Sequence, residues 1–74
     1  MKKTDSEAFY KQVGDRIRQL RNDKEWSQTE LGYQSELDKS VIQRIERGTD
    51  NSTLKTLIKI ADALDVKFYE LFLF

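Results

Sequence analysis

The sequence predicts an all-α fold, a compact domain of about five helices spanning residues 1–74, and three observations support this prediction. Apolar residues recur at spacings of three and four along most of the chain, as they do on one face of an amphipathic helix. Residues that cap helix starts, mainly serine, threonine and aspartate, stand just before these runs. The chain contains no proline, which would interrupt a helix, and no repeat or linker that would divide it.

The first helix is predicted to begin within residues 4–6 and to end near Lys24. Thr4 is a candidate cap, because Glu7 follows it at the spacing of a capping box. Four apolar residues at spacings of four and three then form a stripe that we expect in the core. They are Phe9, Val13, Ile17 and Leu20.

Residues 27–48 predict two short helices joined by a turn. Ser27 is the expected cap of the first, which runs over residues 28–34, and Glu30 can reach back to complete a capping box. The glycine at position 32 indicates that the two helices cross closely there, leaving room only for a small residue.

The second of these helices is predicted over residues 39–47, between a cap at Asp38 and a left-handed terminating residue at Gly48. Ile42 and Ile45 fall together on its inner side. The opposite side carries cations, amides and a hydroxyl, namely Lys39, Ser40, Gln43, Arg44 and Arg47. Such a face suits phosphates and base edges, although a single basic helix is as often an ordinary solvated surface.

A further helix is predicted to follow Thr53, its expected cap. Its apolar stripe is structural and comprises Leu54, Leu57, Ile58, Ala61 and Leu64.

Residues 66–74 form the most apolar stretch of the chain. Val66, Phe68 and Leu71 are expected to pack in the core, but the segment holds more aromatic surface than a small domain buries internally. We therefore expect a self-association or partner surface formed by Phe68, Tyr69, Phe72, Leu73 and Phe74.

The composition restricts the classes of function. The absence of cysteine excludes disulfides, and with no histidine either we expect no metal and no cofactor. No apolar run reaches the 18–20 residues or so that cross a bilayer, and the first residues do not read as a signal peptide, so we expect a cytoplasmic protein without membrane contact.

The net charge is zero, from 13 basic and 13 acidic residues, which argues mildly against nucleic-acid binding. Residues 1–26, however, hold seven Lys or Arg against five acids.

Residues 27–48 resemble the helix-turn-helix of the phage-repressor and Cro-like DNA-binding domains, whose usual run is close to SQ-x-E-L-A-x3-G-V-S-x3-I-x-R-I-E-R-G. The chain keeps Ser27, Gln28, Glu30, Leu31, Ile42, Arg44, Ile45, Glu46, Arg47 and Gly48. The resemblance extends from about Val13 to Phe72 and implies a five-helix lambda-repressor-like domain. It also implies a sequence-specific transcriptional regulator that binds double-stranded DNA as a homodimer, at a palindromic operator.

The resemblance also implies roles for individual residues. The positions that read bases are Lys39, Ser40, Gln43 and Arg44. The positions that contact the DNA backbone are Gln28 above all, then Ser27, Arg21, Arg47, Thr49 and Asn51. In the family, the residue matching Arg21 also pairs with the one matching Glu46. Acids replace the family's glycines at Glu25, Glu36 and Asp65, so either these turns differ or some backbone strain is accepted.

Two other classes of function remain open at this point. A protein-interaction module of the same fold, such as an antitoxin or adaptor, would use the aromatic residues of 66–74, and neutral charge favours it. An enzyme is not expected, because acid–base chemistry would fall to carboxylates alone and no pair of them is placed in an evident apolar cleft.

Overall fold

The computed structural model describes residues 5–49 and 52–74, and this part of the chain is helical without any strand, as predicted. Its elements in order are α1 (Ser6–Asp23), α2 (Gln28–Ser35), α3 (Lys39–Arg47), α4 (Leu54–Leu64) and a 3-10 helix (Phe68–Phe72). The fifth predicted helix is therefore a short 3-10 helix. No helix in these ranges has the length and apolar character needed to cross a bilayer.

The caps of α2 and α4 are those that the sequence predicts. The Ser27 hydroxyl accepts a hydrogen bond from the Glu30 amide at 3.0 Å, and the Thr53 hydroxyl accepts one from the Thr56 amide at 3.2 Å. The Glu30 carboxylate accepts a hydrogen bond from the Gln34 side chain at 2.7 Å. Each of the two cap bonds satisfies an amide that has no partner within its own helix. Glu30 is instead held by Gln34 and does not complete the predicted capping box with Ser27.

α1 and α3 begin at Ser6 and Lys39, within the predicted bounds, but the cap expected at Asp38 does not form. Asp5 caps α1 by accepting a hydrogen bond from the Ala8 amide at 3.2 Å, whereas the capping box proposed for Thr4 lies outside the described residues. Asp38 stands at the cap position of α3, but its side chain makes no capping hydrogen bond there. The start of α3 is therefore set by the preceding turn rather than by that carboxylate.

The core lies between α1, α3, α4 and the 3-10 helix, with one residue from α2. Its buried apolar residues are Val13, Ile17, Leu31, Ile42, Ile45, Leu57, Ile60, Ala61, Leu64 and Leu71. Phe9 and Leu20, both predicted core residues, pack against its edge.

The stripe predicted for α4 is wrong at two positions. Leu54 and Ile58 are 68% and 47% exposed, while Ile60, which the prediction omitted, is fully buried. At 100° per residue, Ile60 falls beside Leu57 and Leu64, and Ile58 falls about 110° away from the centre of that face. Two large apolar side chains of α4 therefore face outward.

The three acids at glycine positions do adopt left-handed backbone. Glu25, Glu36 and Asp65 each have φ of 58°, beside 73° at Gly48. Glutamate and aspartate enter this region only with some strain. The chain therefore keeps turns of the kind that glycine normally makes and accepts the strain, including in the turn between α2 and α3.

Two glycines let the helices approach closely. A Cβ atom on Gly14 of α1 would lie 2.3 Å from the carbonyl oxygen of Ile45 in α3. A Cβ atom on Gly32 would lie 2.8 Å from the carbonyl oxygen of Leu37. The close approach predicted at Gly32 exists, but the approaching backbone belongs to the turn and the start of α3, and the tighter helix crossing is at Gly14.

Candidate nucleic-acid interface

The two sides of α3 differ sharply in polarity. Ile42, Ile45 and Glu46 face the interior and are 0–4% exposed. Ser40, Arg44 and Arg47 lie on the opposite side, because a helix of 3.6 residues per turn separates them from those three residues. Gln43 lies between the two sides, and Lys39, seven residues before Glu46, lies above it at the start of the helix. Lys39, Ser40, Arg44 and Arg47 are exposed, and Gln43 is half-exposed.

Glu46 is the one carboxylate of α3, and it is completely buried. Its two oxygens accept hydrogen bonds from Arg21 Nε at 2.7 Å and Nη2 at 2.9 Å. Arg18 Nε lies 3.4 Å from the carboxylate, and the Gln28 amide nitrogen donates to it at 3.2 Å. These contacts form the Glu46 network (Arg18, Arg21, Gln28 and Glu46), which joins α1, α2 and α3.

Arg21 is largely enclosed by this network. Its side chain is 11% exposed, and Nη1 donates to the Trp26 carbonyl oxygen at 2.8 Å. The pairing with Glu46 that the resemblance implied is therefore present in the structure. Arg18, which the sequence places off the apolar stripe of α1 and available to an acidic partner, was not assigned to Glu46. Arg18 stands three residues before Arg21, which places both on the same side of α1. That spacing could have indicated that the two arginines share a partner.

Two of the predicted backbone-contact residues lie together at the start of α2. Ser27 caps the helix, and Gln28 is its first residue. The first amides of a helix have no partners within it and carry the positive end of the helix dipole, so this end favours an anion. The hydrogen bond to Glu46 holds the Gln28 side chain beside that end.

Two more of these residues lie at the other end of α3. Thr49 donates a hydrogen bond to the Arg44 carbonyl oxygen at 3.2 Å, which fixes the chain just after the helix, and Arg47 is exposed in the last turn. Asn51, the remaining predicted backbone contact, lies outside the described residues. Exposed acids border the opposite end of α3, at Glu36 and Asp38.

The predicted association surface is divided between the interior and solvent. Phe68 and Phe72 are partly buried against the core, and the Phe72 ring stacks on Phe9 with centroids 6.1 Å apart. Tyr69, Leu73 and Phe74 are 54–60% exposed. Within the described ranges, no group of three or more acidic side chains could hold a metal ion.

The Glu46 network also sets the protonation of its members. Burial by itself raises the pKa of the Glu46 carboxyl, but hydrogen bonds from Arg21, Gln28 and Arg18, with the Arg21 charge, outweigh it and hold that pKa below the ordinary 4.5. The hydrogen bond to Glu46 in turn raises the pKa of Arg21. Both groups are therefore charged at neutral pH, and the exposed face of α3 has no carboxylate of its own to repel phosphate.

The lowered pKa of Glu46 predicts that the stability of the protein depends on pH in the acidic range. A carboxyl whose pKa is lower in the folded state stabilises that state above its unfolded pKa, and the stabilisation is lost as pH falls toward the folded value. We expect the free energy of unfolding to fall as the pH drops below about 4.5, measured by urea denaturation at successive pH values. Glu46→Gln, which cannot titrate at this position, should show a shallower decline. An identical acid slope in both proteins would contradict the assignment.

Comparison with known proteins agrees with this geometry. The family model described as Helix-turn-helix matches residues 17–71. The chain is 40% identical over 57 residues to a hypothetical transcription factor of Neisseria meningitidis serogroup B, covering 77% of this chain and 54% of that protein. It is 40% identical over 55 residues to control protein C.BamHI of Bacillus amyloliquefaciens, covering 73% of this chain and 68% of that protein.

Similarity to a solved structure extends over most of the chain. The crystal structure of the restriction-modification controller protein C.AhdI from Aeromonas hydrophila superposes with a TM-score of 0.85 at 41% identity, covering 86% of this chain and 97% of that chain. The chain spans about half the length of the Neisseria relative. The resemblance seen in residues 27–48 is thus confirmed, and the chain belongs to the helix-turn-helix family.

Proposed function

We propose that this protein regulates transcription as a homodimer that reads a palindromic operator, with α3 in the major groove of each half-site. The observation that carries the proposal is the burial of Glu46. Because the one acid of α3 is enclosed and neutralised by Arg21, the outward side of the helix presents cations, amides and a hydroxyl alone. That set of groups matches phosphate oxygens and the acceptor-rich edges of bases.

The base-reading residues in this proposal are Lys39, Ser40, Gln43 and Arg44. A recognition helix enters the groove with its N-terminal residues foremost, which brings Lys39 and Ser40 to the bases first. Arg44 and Lys39 suit the O6 and N7 acceptors of guanine, and Gln43 suits the N6 and N7 positions of adenine.

The phosphate contacts in this proposal fix the position of α3 in the groove. Gln28 and Ser27 lie at the start of α2, where Gln28 donates to Glu46 of the recognition helix, and Arg47 and Thr49 lie at the C-terminal end of that helix. Arg21 contributes chiefly by neutralising Glu46 and holding it in place. Gln28 and Arg21 both donate to Glu46. These bonds hold the proposed phosphate-binding end of α2 at a fixed position relative to the base-reading helix α3.

Homodimer formation is assigned to residues 66–74, with α4 beside them. Tyr69, Leu73 and Phe74 are exposed, and so are Leu54 and Ile58 of α4. Exposed apolar surface of this extent is typical of a protein–protein contact. A symmetric dimer would place two copies of α3 about 34 Å apart, one turn of the double helix.

Selection from a random duplex library at about 100 mM salt tests this function. Salt at that concentration screens the phosphate charges, so nonspecific binding is weak. An enriched palindrome would establish a dimeric sequence reader, and its half-site spacing would report the distance between the two helices. If the protein is confirmed to be folded and helical and still enriches no sequence, the proposed function is wrong.

Two arginines of α3 should respond differently to substitution. Arg44→Ala should weaken binding to the selected operator by about 1–3 kcal/mol and relax the preference at one base pair, because it removes a base contact. Arg47→Ala should weaken all sequences alike and reduce the salt dependence by about one phosphate contact. Binding titrations at several salt concentrations, on operator and scrambled duplexes, separate the two. An equal loss on every duplex for Arg44→Ala would contradict base reading.

One observation favours a second function, a protein-interaction module acting through the exposed Tyr69, Leu73 and Phe74. The cationic side of α3 argues against it as the sole activity. Elution from heparin at low salt distinguishes the two, because a protein that binds only another protein is not retained by a polyanion.

A further inference from the structure

An apolar cavity of about 320 Å³ lies between α1, α3, α4 and the 3-10 helix. Phe9 and Val13 of α1, Ile45 of α3, Leu57 of α4 and Phe72 form much of its wall. Since Ile45 faces the interior, the cavity lies on the side of α3 away from the base-reading residues. Its size falls at the lower end of the range in which proteins bind small organic molecules.

A buried hydroxyl group lies in this wall. Ser52 lines the cavity, and its Oγ is inaccessible to solvent and makes no hydrogen bond with any other group in the described ranges. Buried hydroxyl groups in proteins nearly always have a hydrogen-bond partner. An unpartnered Ser52 Oγ therefore offers a bound molecule a hydrogen-bond partner once the Ser52 side chain turns about its Cα–Cβ bond and brings this oxygen to the cavity surface.

We propose that this cavity is a binding site for a small uncharged organic molecule, with a ring or aliphatic body and one polar group that pairs with Ser52 Oγ. Among the described residues no charged side chain lines the cavity, and an unpaired charge is strongly disfavoured in apolar surroundings. A cavity of about 150 Å³ accommodates benzene, so this larger one suits a molecule of two fused rings.

A molecule bound in this cavity would contact two parts of the protein that have other proposed roles. Phe72 belongs to the segment assigned to dimer formation, and Ile45 belongs to the recognition helix. A molecule that contacts both, and that binds the folded state alone, stabilises the folded arrangement of these elements by an amount that grows with the logarithm of its concentration above the dissociation constant.

Indole and indene are matched probes for this site, because they have nearly the same shape and only indole carries an N–H group. We expect indole to bind saturably by calorimetry, more tightly than indene, and to shift the amide resonances of residues that line the cavity. The titration is run at two protein concentrations, one where sedimentation shows a monomer and one where it shows a dimer.

Substitutions identify the atoms involved. Ser52→Ala should reduce the affinity for indole up to about tenfold, the effect of one hydrogen bond, and leave indene unchanged. Leu54→Trp should exclude both probes, since Leu54 lines the cavity yet is 68% exposed and so tolerates a larger side chain. Ile58→Trp is the matched control, because Ile58 is an exposed residue of the same helix that does not line the cavity.

Three outcomes would overturn the proposal. The first is the absence of saturable indole binding at either protein concentration. The second is a set of resonance shifts that lies away from the cavity, or an effect of Ile58→Trp equal to that of Leu54→Trp. The third is binding that disappears as the dimer forms, which would show that a second copy of the chain covers this surface.

Discussion

Glu46→Ala is expected to lower the free energy of unfolding by about 3–5 kcal/mol, the usual effect of removing one member of a buried ion pair. The substitution leaves Arg21, whose side chain is 11% exposed, without its carboxylate partner. Small proteins have a total stability of roughly 5–15 kcal/mol, so this variant should be close to unfolding at physiological temperature. Urea denaturation followed by circular dichroism measures the loss.

Two further variants distinguish a buried charge from a general loss of packing. Lys11→Ala removes an exposed ion pair with Asp15, whose members are each 52% exposed, and leaves the contact of Asp15 with Arg18 in place. It should change stability by less than about 1 kcal/mol. The double variant Arg21→Met with Glu46→Met should recover much of the loss, because it leaves no unpaired charge from that pair. A double variant as unstable as Glu46→Ala would contradict the electrostatic explanation.

Gly14→Ala is expected to destabilise the protein by about 2–3 kcal/mol. The new methyl group would lie 2.3 Å from the carbonyl oxygen of Ile45 and 2.8 Å from that of Glu46. These atoms are backbone and cannot turn aside as a side chain does, so α1 and α3 must separate. Separation also lengthens the hydrogen bonds from Arg18 and Arg21 to Glu46. The cost of such overpacking exceeds the gain of about 1 kcal/mol in helix propensity.

Gly32→Ala is the matched control, because this glycine also lies within a helix. Its new methyl group would meet the Leu37 carbonyl oxygen at 2.8 Å, a milder overlap than the 2.3 Å approach to Ile45 at Gly14. The family pattern quoted above has alanine at this position, and we expect a change within about 1 kcal/mol. Equal destabilisation by the two substitutions in urea denaturation would show that the crossing of α1 and α3 is not especially tight.

The sequence was a good guide wherever the deciding interactions are local. The caps at Ser27 and Thr53 depend on a side chain and an amide three residues away, and both were predicted correctly. The left-handed end of α3 at Gly48 was also predicted, since glycine favours that backbone region. The polar and apolar sides of α3 followed from the helical repeat alone.

The sequence was a poor guide wherever the deciding partner is distant along the chain. The apolar residues of α4 are distributed so that several faces of the helix have similar apolar content. The packing of neighbouring elements decided that Ile60 is buried while Leu54 and Ile58 are exposed. The tight crossing at Gly14 gave no local signal, because its partner backbone lies about thirty residues later.

The sequence by itself determined the helices, their starts, and which residues occupy the outer side of α3, because these depend on hydrogen bonds and repeats within a few residues. The pairing of Arg21 with Glu46 entered through the resemblance to a family. Only the tertiary structure decided that Glu46 is completely buried, that Gln28 and Arg18 join it, and that Ser52 lines an apolar cavity. Burial and charge pairing depend on which side chains the packed helices bring together, and no local pattern records that.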